Sequence, residues 1–289
     1  MVTISNIGQT TARRIRFIII LLGSALLFCG CAALQPPSAT GPRGSNSLYP
    51  ILFTEDSHRK DAVLAALNRL GQSSGNSNRT EPQLQPVTGT ILSLSTNGVL
   101  YLPKVGAATM NEEESREALR RFIVDWQELI GSDPEKLSLV ERIDQPDGSK
   151  LANYEQRPFR YPIRGNYGKL QIKFTGDRRV LNLTSSCIPD AERIQTALSA
   201  LNLRPKAEDA IKQIREKGLT YVDSTGNNST FTVSPACQIT ARQMTIYILP
   251  SQNRLDSLEF HLAWEMELTN APVRVAYVDA VSGETVATE

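Results

Sequence analysis

The spacing of apolar positions changes several times along this 289-residue chain, and each change marks a different element. From Phe17 to Phe28 the chain is apolar without a period, broken only by Gly23 and Ser24. That run is shorter than the about 20 residues a helix needs to cross a bilayer. From Glu55 to Leu70 the residues Ala62, Val63, Ala66, Leu67 and Leu70 recur at helical spacing, and Gly71 supplies a stop. Gln72 to Gln85 is polar and reads as an exposed loop. Short β-type runs follow at Val87–Leu94 and Gly98–Leu102. The most regular helical pattern covers Glu112 to Ile130, where Ala118, Leu119, Phe122, Ile123, Trp126 and Ile130 form one face. Asn111 with Glu114 three residues on is a capping-box signature, and Gly131 closes the helix.

Beyond Leu137 the period becomes two. Leu139–Ile143, Leu151–Phe159, Leu170–Phe174 and Val180–Leu183 predict antiparallel strands, with turns at Pro146-Asp147-Gly148 and Gly176-Asp177. The plan then repeats. Asp190 is placed to cap a helix through Leu201, and Pro205 starts another that runs to Lys217. Strands are predicted at Thr230–Val233, Gln238–Leu249, Leu258–Leu268 and Val273–Val278, with a short last one at Thr285–Ala287. The expected fold class is therefore α+β, in two successive units of helix packed on an antiparallel meander. The expected divisions are a signal peptide over 1–31, a flexible tether over 32–54, one α+β domain over 55–189 and a second over 190–289. No function is indicated for the 55–110 segment.

The N-terminus changes this picture from a free domain to an exported one. Arg13, Arg14 and Arg16 precede the apolar run, which ends at Phe28-Cys29-Gly30-Cys31 and gives way to a stretch rich in Ala, Pro, Gly and Ser. A charged front followed by a short apolar run is the pattern of a secretory signal. Its end resembles the lipobox of bacterial lipoproteins, with Cys31 as the acylated residue and Phe28 where Leu is usual. An ordinary cut near Ala32 and Ala33, or an uncleaved anchor, are the competing readings. The lipoprotein reading places the chain in the cell envelope, anchored by lipid and facing the periplasm. With Cys31 lipidated and Cys29 removed, Cys187 and Cys237 remain. In an oxidising compartment they read as one disulfide, closing a loop of about 50 residues and contributing about 3–4 kcal/mol. Two buried free thiols are the alternative. The 31 Lys plus Arg against 30 Asp plus Glu leave no basic run to recruit nucleic acid.

One stretch carries a family resemblance. Tyr154-Glu155-Gln156, Phe159, Tyr161-Pro162-Ile163, Gly165, Leu170-Gln171-Ile172, Asp177-Arg178-Arg179-Val180 and Ile188-Pro189 together resemble the propeptide module of fungalysin and thermolysin-type metallopeptidases. Arg160 departs from that pattern, standing where glycine is usual. The ending resembles the PepSY module that follows in such propeptides, through Leu262 to Glu267, Ala276-Tyr277-Val278-Asp279-Ala280, Ser282-Gly283-Glu284 and Val286. The resemblance spans roughly residues 110–289. It implies a cystatin-like propeptide fold followed by a PepSY-like one, and a protein surface as partner.

The protease itself has no counterpart here. Zinc peptidases of that type need H-E-x-x-H on a helix, and this chain has only His58 and His261, in neither case in that motif. No catalytic residue, metal or cofactor is therefore expected. His261 lies in an alternating strand, outward or as a satisfied core residue, and His58 lies in a charged cluster on a solvated face. Glu265 and Glu267 share a strand face but read as solvated acids rather than a glycosidase pair. The expected function is a non-catalytic envelope lipoprotein that binds a protein, a secreted metallopeptidase being the partner the resemblance implies, inhibited or helped to fold in trans. A structural or assembly lipoprotein with no peptidase partner is the alternative. The contact residues are expected at an exposed edge around Tyr154, Gln156, Phe159 and Tyr161, with core and turn packing as their competing role.

Overall fold

A computed structural model describes residues 49–74, 82–106, 110–201, 206–223 and 225–289. The signal region, Cys31 and the tether up to residue 48 lie outside the described residues. In chain order the first half holds β1 (Ile51–Thr54), α1 (Ser57–Ser74), β2 (Gln83–Leu84), β3 (Ile91–Tyr101), α2 (Glu112–Asp125), α3 (Gln127–Ile130), β4 (Leu137–Asp144), β5 (Ser149–Gln156), β6 (Ile163–Arg164), β7 (Lys169–Thr175) and β8 (Arg179–Ser185). The second half holds α4 (Ala191–Ala200), α5 (Ala207–Lys217), β9 (Leu219–Val222), β10 (Asn228–Phe231), β11 (Gln238–Pro250), β12 (Ser257–Thr269), β13 (Val275–Asp279) and β14 (Thr285–Thr288). The class is α+β.

The first sheet has the order β2-β3-β8-β7-β5-β4, antiparallel throughout. Its core joins Val63, Ala66 and Leu70 of α1 and Ala118, Leu119, Phe122 and Ile123 of α2 to Ala152, Leu170, Ile172, Phe174, Val180 and Leu183 of the strands. Leu170, Ile172 and Phe174 alternate because every second side chain faces the helices, and an irregularity at Leu181 brings Val180 and Leu183 to the same side. Helix α2 begins as its sequence demands. Asn111 Oδ1 accepts from the Glu114 amide at 2.8 Å, and Glu114 Oε2 accepts from the Asn111 amide at 3.1 Å. The expected single helix to Ile130 is broken at Trp126, whose carbonyl receives the amides of both Leu129 and Ile130 at 3.0 Å and so restarts the register. Gly131 then ends α3 at φ 83°, a conformation only glycine adopts without strain.

The second sheet runs β14-β13-β12-β11-β6, with β1 also paired to β12. Strand β11 pairs with β12 along nearly its whole length, so β13 and β1 follow one another on β12's other side. Phe260, Leu262, Trp264, Met266 and Leu268 share one face of β12. Opposite them stand Ile248, Ile246 and Met244, then Ala241 and Ile239. The parity of β11 shifts between Ala241 and Gln243, where a bulge at Arg242 keeps both apolar runs on the same face. One end of that face packs on α4 and β1, and the other on α5 and the β9–β10 hairpin.

Three further expectations change. Ile51–Thr54, expected within the flexible tether, is a strand whose Phe53 is buried opposite Leu258. Burial of Ile51 and Phe53 against α4 and β12 offsets the loss of chain entropy that a tether would keep. Asp190 lies at φ 51° and its side chain makes no capping bond to α4. Cys187 and Cys237 are both free and buried, Cys187 in the core of the first sheet and Cys237 in the core that the second sheet forms with α5 and β9. No disulfide joins them, because each thiol is packed as a small apolar group in a separate core; burial pushes the Cys187 thiol up to about 12.

Phe122 is fully buried at the centre of the first core. Phe122→Ala is expected to lower stability by about 3–5 kcal/mol in chemical denaturation, since the helix-to-sheet gap cannot close around the lost ring.

Candidate functional site

The residues that carried the family resemblance lie at a neck between the two sheets. The chain leaves β5 at Gln156 and returns to β7 after Gly168, so residues 157–168 form a strap. At the neck the Gln156 amide donates to the Gly168 carbonyl, and the Gly168 amide donates to the Ser186 carbonyl, both at 2.8 Å. The Gln156 side chain closes the neck from within. Its Oε1 accepts from the Ile188 amide at 2.8 Å, and its Nε2 donates to the Ile188 carbonyl at 2.8 Å. One side-chain amide thus replaces a missing strand for the residue that leads into α4. Gly168 lies at φ 73°, where any residue with a Cβ is strained, and a Cβ there would also push the end of the Ile163 side chain aside, with Cδ1 at 2.6 Å.

The strap crosses to the second sheet. The Ile246 amide donates to the Pro162 carbonyl at 2.9 Å, and β6 pairs in parallel with β11 at Ile163–Ile246 and Arg164–Tyr247. The Phe159 ring lies 6.5 Å from Phe260, and Tyr161, Ile163 and Tyr167 pack on the same core. The Arg160 amide donates to Gln195 Oε1 of α4 at 2.8 Å, while its guanidinium lies 5.3 Å from the Tyr161 ring centre. A cleft of roughly 410 Å³ opens along the strap, its walls including Phe159, Tyr161, Tyr167, Arg160, Lys169 and Gln243.

The expected exposed edge is therefore only half an edge. Tyr154 is 8% exposed, within the first core, and Gln156 is 5% exposed, spent on Ile188. Alternation explains it: residues 152, 154 and 156 of β5 all face inward. Phe159 and Tyr161 are half-buried and remain at the cleft.

On the opposite face of β12 the structure assembles a polar row that the sequence did not reveal. His261 Nδ1 lies 2.7 Å from Asp279 Oδ2, and its Nε2 lies 3.3 Å from Glu259 Oε2. Ser251 donates to the other oxygen of Glu259 at 2.6 Å. The Tyr49 hydroxyl donates to Asp279 Oδ2 at 2.7 Å and accepts from the Leu262 amide at 2.9 Å. Asp279 Oδ1 meanwhile caps its own turn, accepting from Val281 and Ser282 at 2.7 and 2.9 Å. Burial disfavours a charge on His261, but the hydrogen bonds and charges of Asp279 and Glu259 outweigh it and hold its pKa above the ordinary value. For Asp279 burial acts upward, and the bonds from His261, its turn and Tyr49 bring the value below the usual range. A carboxylate oxygen thus lies within hydrogen-bond distance of each imidazole nitrogen, an arrangement that favours the charged form of the ring and fixes its orientation. Asp279 stands within the ending that carries the PepSY resemblance. Tyr49, 230 positions away, carried no signal.

The other histidine and the paired acids behave differently. His58 is exposed at the start of α1, where its amide donates to Asp56 Oδ1 at 2.9 Å. Glu265 is buried and bonded to Arg164 Nε at 2.8 Å and to Gln243 at 3.2 Å. Burial raises its pKa, but Arg164, Gln243 and Arg242 prevail and lower it. Glu267 pairs with Arg242 at 2.9 Å. These acids are ion-pair partners within the sheet.

No family model matches the chain, and no curated protein does. Among solved structures it is similar to the Bacillus megaterium YpeB C-terminal domain, with 11% identity over 82% of this chain and 98% of that one, at a TM-score of 0.27. It is also similar to an uncharacterized protein from Eubacterium rectale, with 13% identity over 81% of this chain and 83% of that one, at a TM-score of 0.34. Likenesses this loose transfer no function.

Two outcomes follow from this geometry. Gln156→Ala is expected to cost about 2–4 kcal/mol in denaturant unfolding, because it strands two buried backbone groups at Ile188. The His261 contribution to stability is fully present below about pH 6.5 and is lost as pH rises through its raised folded value, whereas that of Asp279 is lost as pH falls through its lowered one. Melting temperature should therefore decline on the alkaline side in the wild type. His261→Gln should flatten that decline, and an unchanged slope would show that another group titrates.

Proposed function

We propose that this chain is a non-catalytic module of the cell envelope, anchored through Cys31, that binds a protein partner at the strap cleft. The observation that carries the reading is the division of labour within the strap. Its backbone and one face are consumed in joining the two sheets, yet Arg160 and Lys169 stay exposed beside half-buried aromatic rings. Aromatic bodies beside free charge are the composition of a protein-recognition surface. The partner proposed is a secreted peptidase, inhibited or assisted in folding in trans. Support for that identity is the resemblance of residues 110–289 to propeptide and PepSY modules.

Cross-linking the full lipoprotein in intact envelopes, followed by mass spectrometry, tests the reading. Recovery of a metallopeptidase whose activity changes when the lipoprotein is added supports it; recovery of assembly or cell-wall proteins alone replaces it with a structural role. Separately, Cys31→Ser is expected to move the chain from the membrane fraction to the soluble one, with loss of incorporated fatty acid.

A further inference from the structure

We propose that the strap cleft takes an extended acidic segment of the partner, lying beside the unpaired part of β11. This rests on the reading of the chain as a protein-binding module and adds the chemistry of what is bound.

The charges decide the class of ligand. Four cations line the cleft, Arg157, Arg160, Arg164 and Lys169, against one carboxylate, Glu155. Glu155 is taken by Arg157 at 3.0 Å, and Arg164 is taken by Glu265 at 2.8 Å. Arg160 and Lys169 are exposed and make no ion pair among the described residues. The Arg160 guanidinium is held over the Tyr161 ring, which limits its motion without satisfying its donors. A carboxylate-bearing ligand would find two cations already in place and free of internal partners.

The walls and the edge decide its form. Phe159, Tyr161 and Tyr167 give the cleft apolar sides that a bare anion would not use. Strand β6 covers β11 only at Ile246 and Tyr247, and no described strand pairs with that edge from Gln238 to Thr245. Gln243, two residues short of the end of the uncovered stretch that adjoins β6, lines the cleft itself. An extended segment continuing the line of β6 can therefore offer its backbone to β11 next to Gln243 while its side chains reach Arg160 and Lys169. The bulge at Arg242 stops a regular ladder from running further. Pairing is thus short, and side-chain charge carries the selectivity.

The test uses the full lipoprotein in detergent and a short fluorescein-labelled peptide of alternating Glu and Phe, read by anisotropy. The expected result is saturable binding that weakens with salt, falls about tenfold or more for the Gln-for-Glu peptide, and falls similarly in Arg160→Glu/Lys169→Glu. The same loss in Arg160→Gln/Lys169→Gln, with an unchanged melting temperature, separates lost charge from lost fold. Equal binding of the neutral peptide, equal binding of a single-stranded oligonucleotide, or indifference to the substitutions overturns the inference. Envelope cross-linking with the charge-reversed protein keeps the two claims apart. A partner still captured leaves the protein-binding reading standing and removes the acidic cleft; peptide binding with no partner captured does the reverse.

Discussion

At Gln156 one amide side chain does the work of a strand. Residues 156, 168, 186 and 188 come together at a point where three pieces of chain diverge: the strap, the return into β7 and the lead into α4. Each of those pieces has backbone groups that would be buried without partners if the neck opened, at about 1–3 kcal/mol apiece. The neck therefore fixes where the strap begins and ends, and so which residues it can present. It also fixes the direction in which the chain leaves the first sheet, and with it the seat of α4 on the second core.

The second sheet depends on that arrangement because it is assembled from distant segments. Its central hairpin, β11 with β12, needs partners on both outer edges, and unpaired sheet edges invite association with other chains. Strand β13 covers part of one edge, β1 from the N-terminal stretch covers the rest, and β6 from the strap covers a little of the other. The polar face tightens the same three joins. Tyr49 ties the N-terminal segment to Asp279, His261 ties β12 to β13 through the same carboxylate, and Arg164 ties the strap to Glu265. Each is a charge or hydroxyl drawn out of water toward a partner from a different segment, so removing either member leaves the other costly.

Placed this way, the charged residues fall into two groups. Those of the polar face are consumed by one another and act as ties. At the mouth of the strap Arg160 and Lys169 make no ion pair among the described residues and stand beside aromatic rings, which is the observation behind the proposed docking surface. The acids that a sequence search for catalysis would notice first, Glu265 and Glu267, belong to the first group, held by Arg164 and Arg242.

Local physics made much of this legible from residues alone. The capping box at Asn111, the stop at Gly131, the alternation of the strands and the two rounds of helix then meander all follow from interactions within a few positions, which sequence spacing encodes directly. The same alternation could have placed Tyr154 and Gln156 inside, since they share parity with Ala152 in β5. Tertiary structure alone decided the rest. That Ile51–Thr54 is a strand, that Ile163–Arg164 joins the other sheet, that Cys187 and Cys237 are packed into separate cores, and that Tyr49 meets Asp279 each depend on contacts between residues dozens to hundreds of positions apart. Short segments of two to four residues have too little periodicity to announce themselves, and their partners are chosen by which buried edge, thiol-sized gap or carboxylate the assembled sheets leave open.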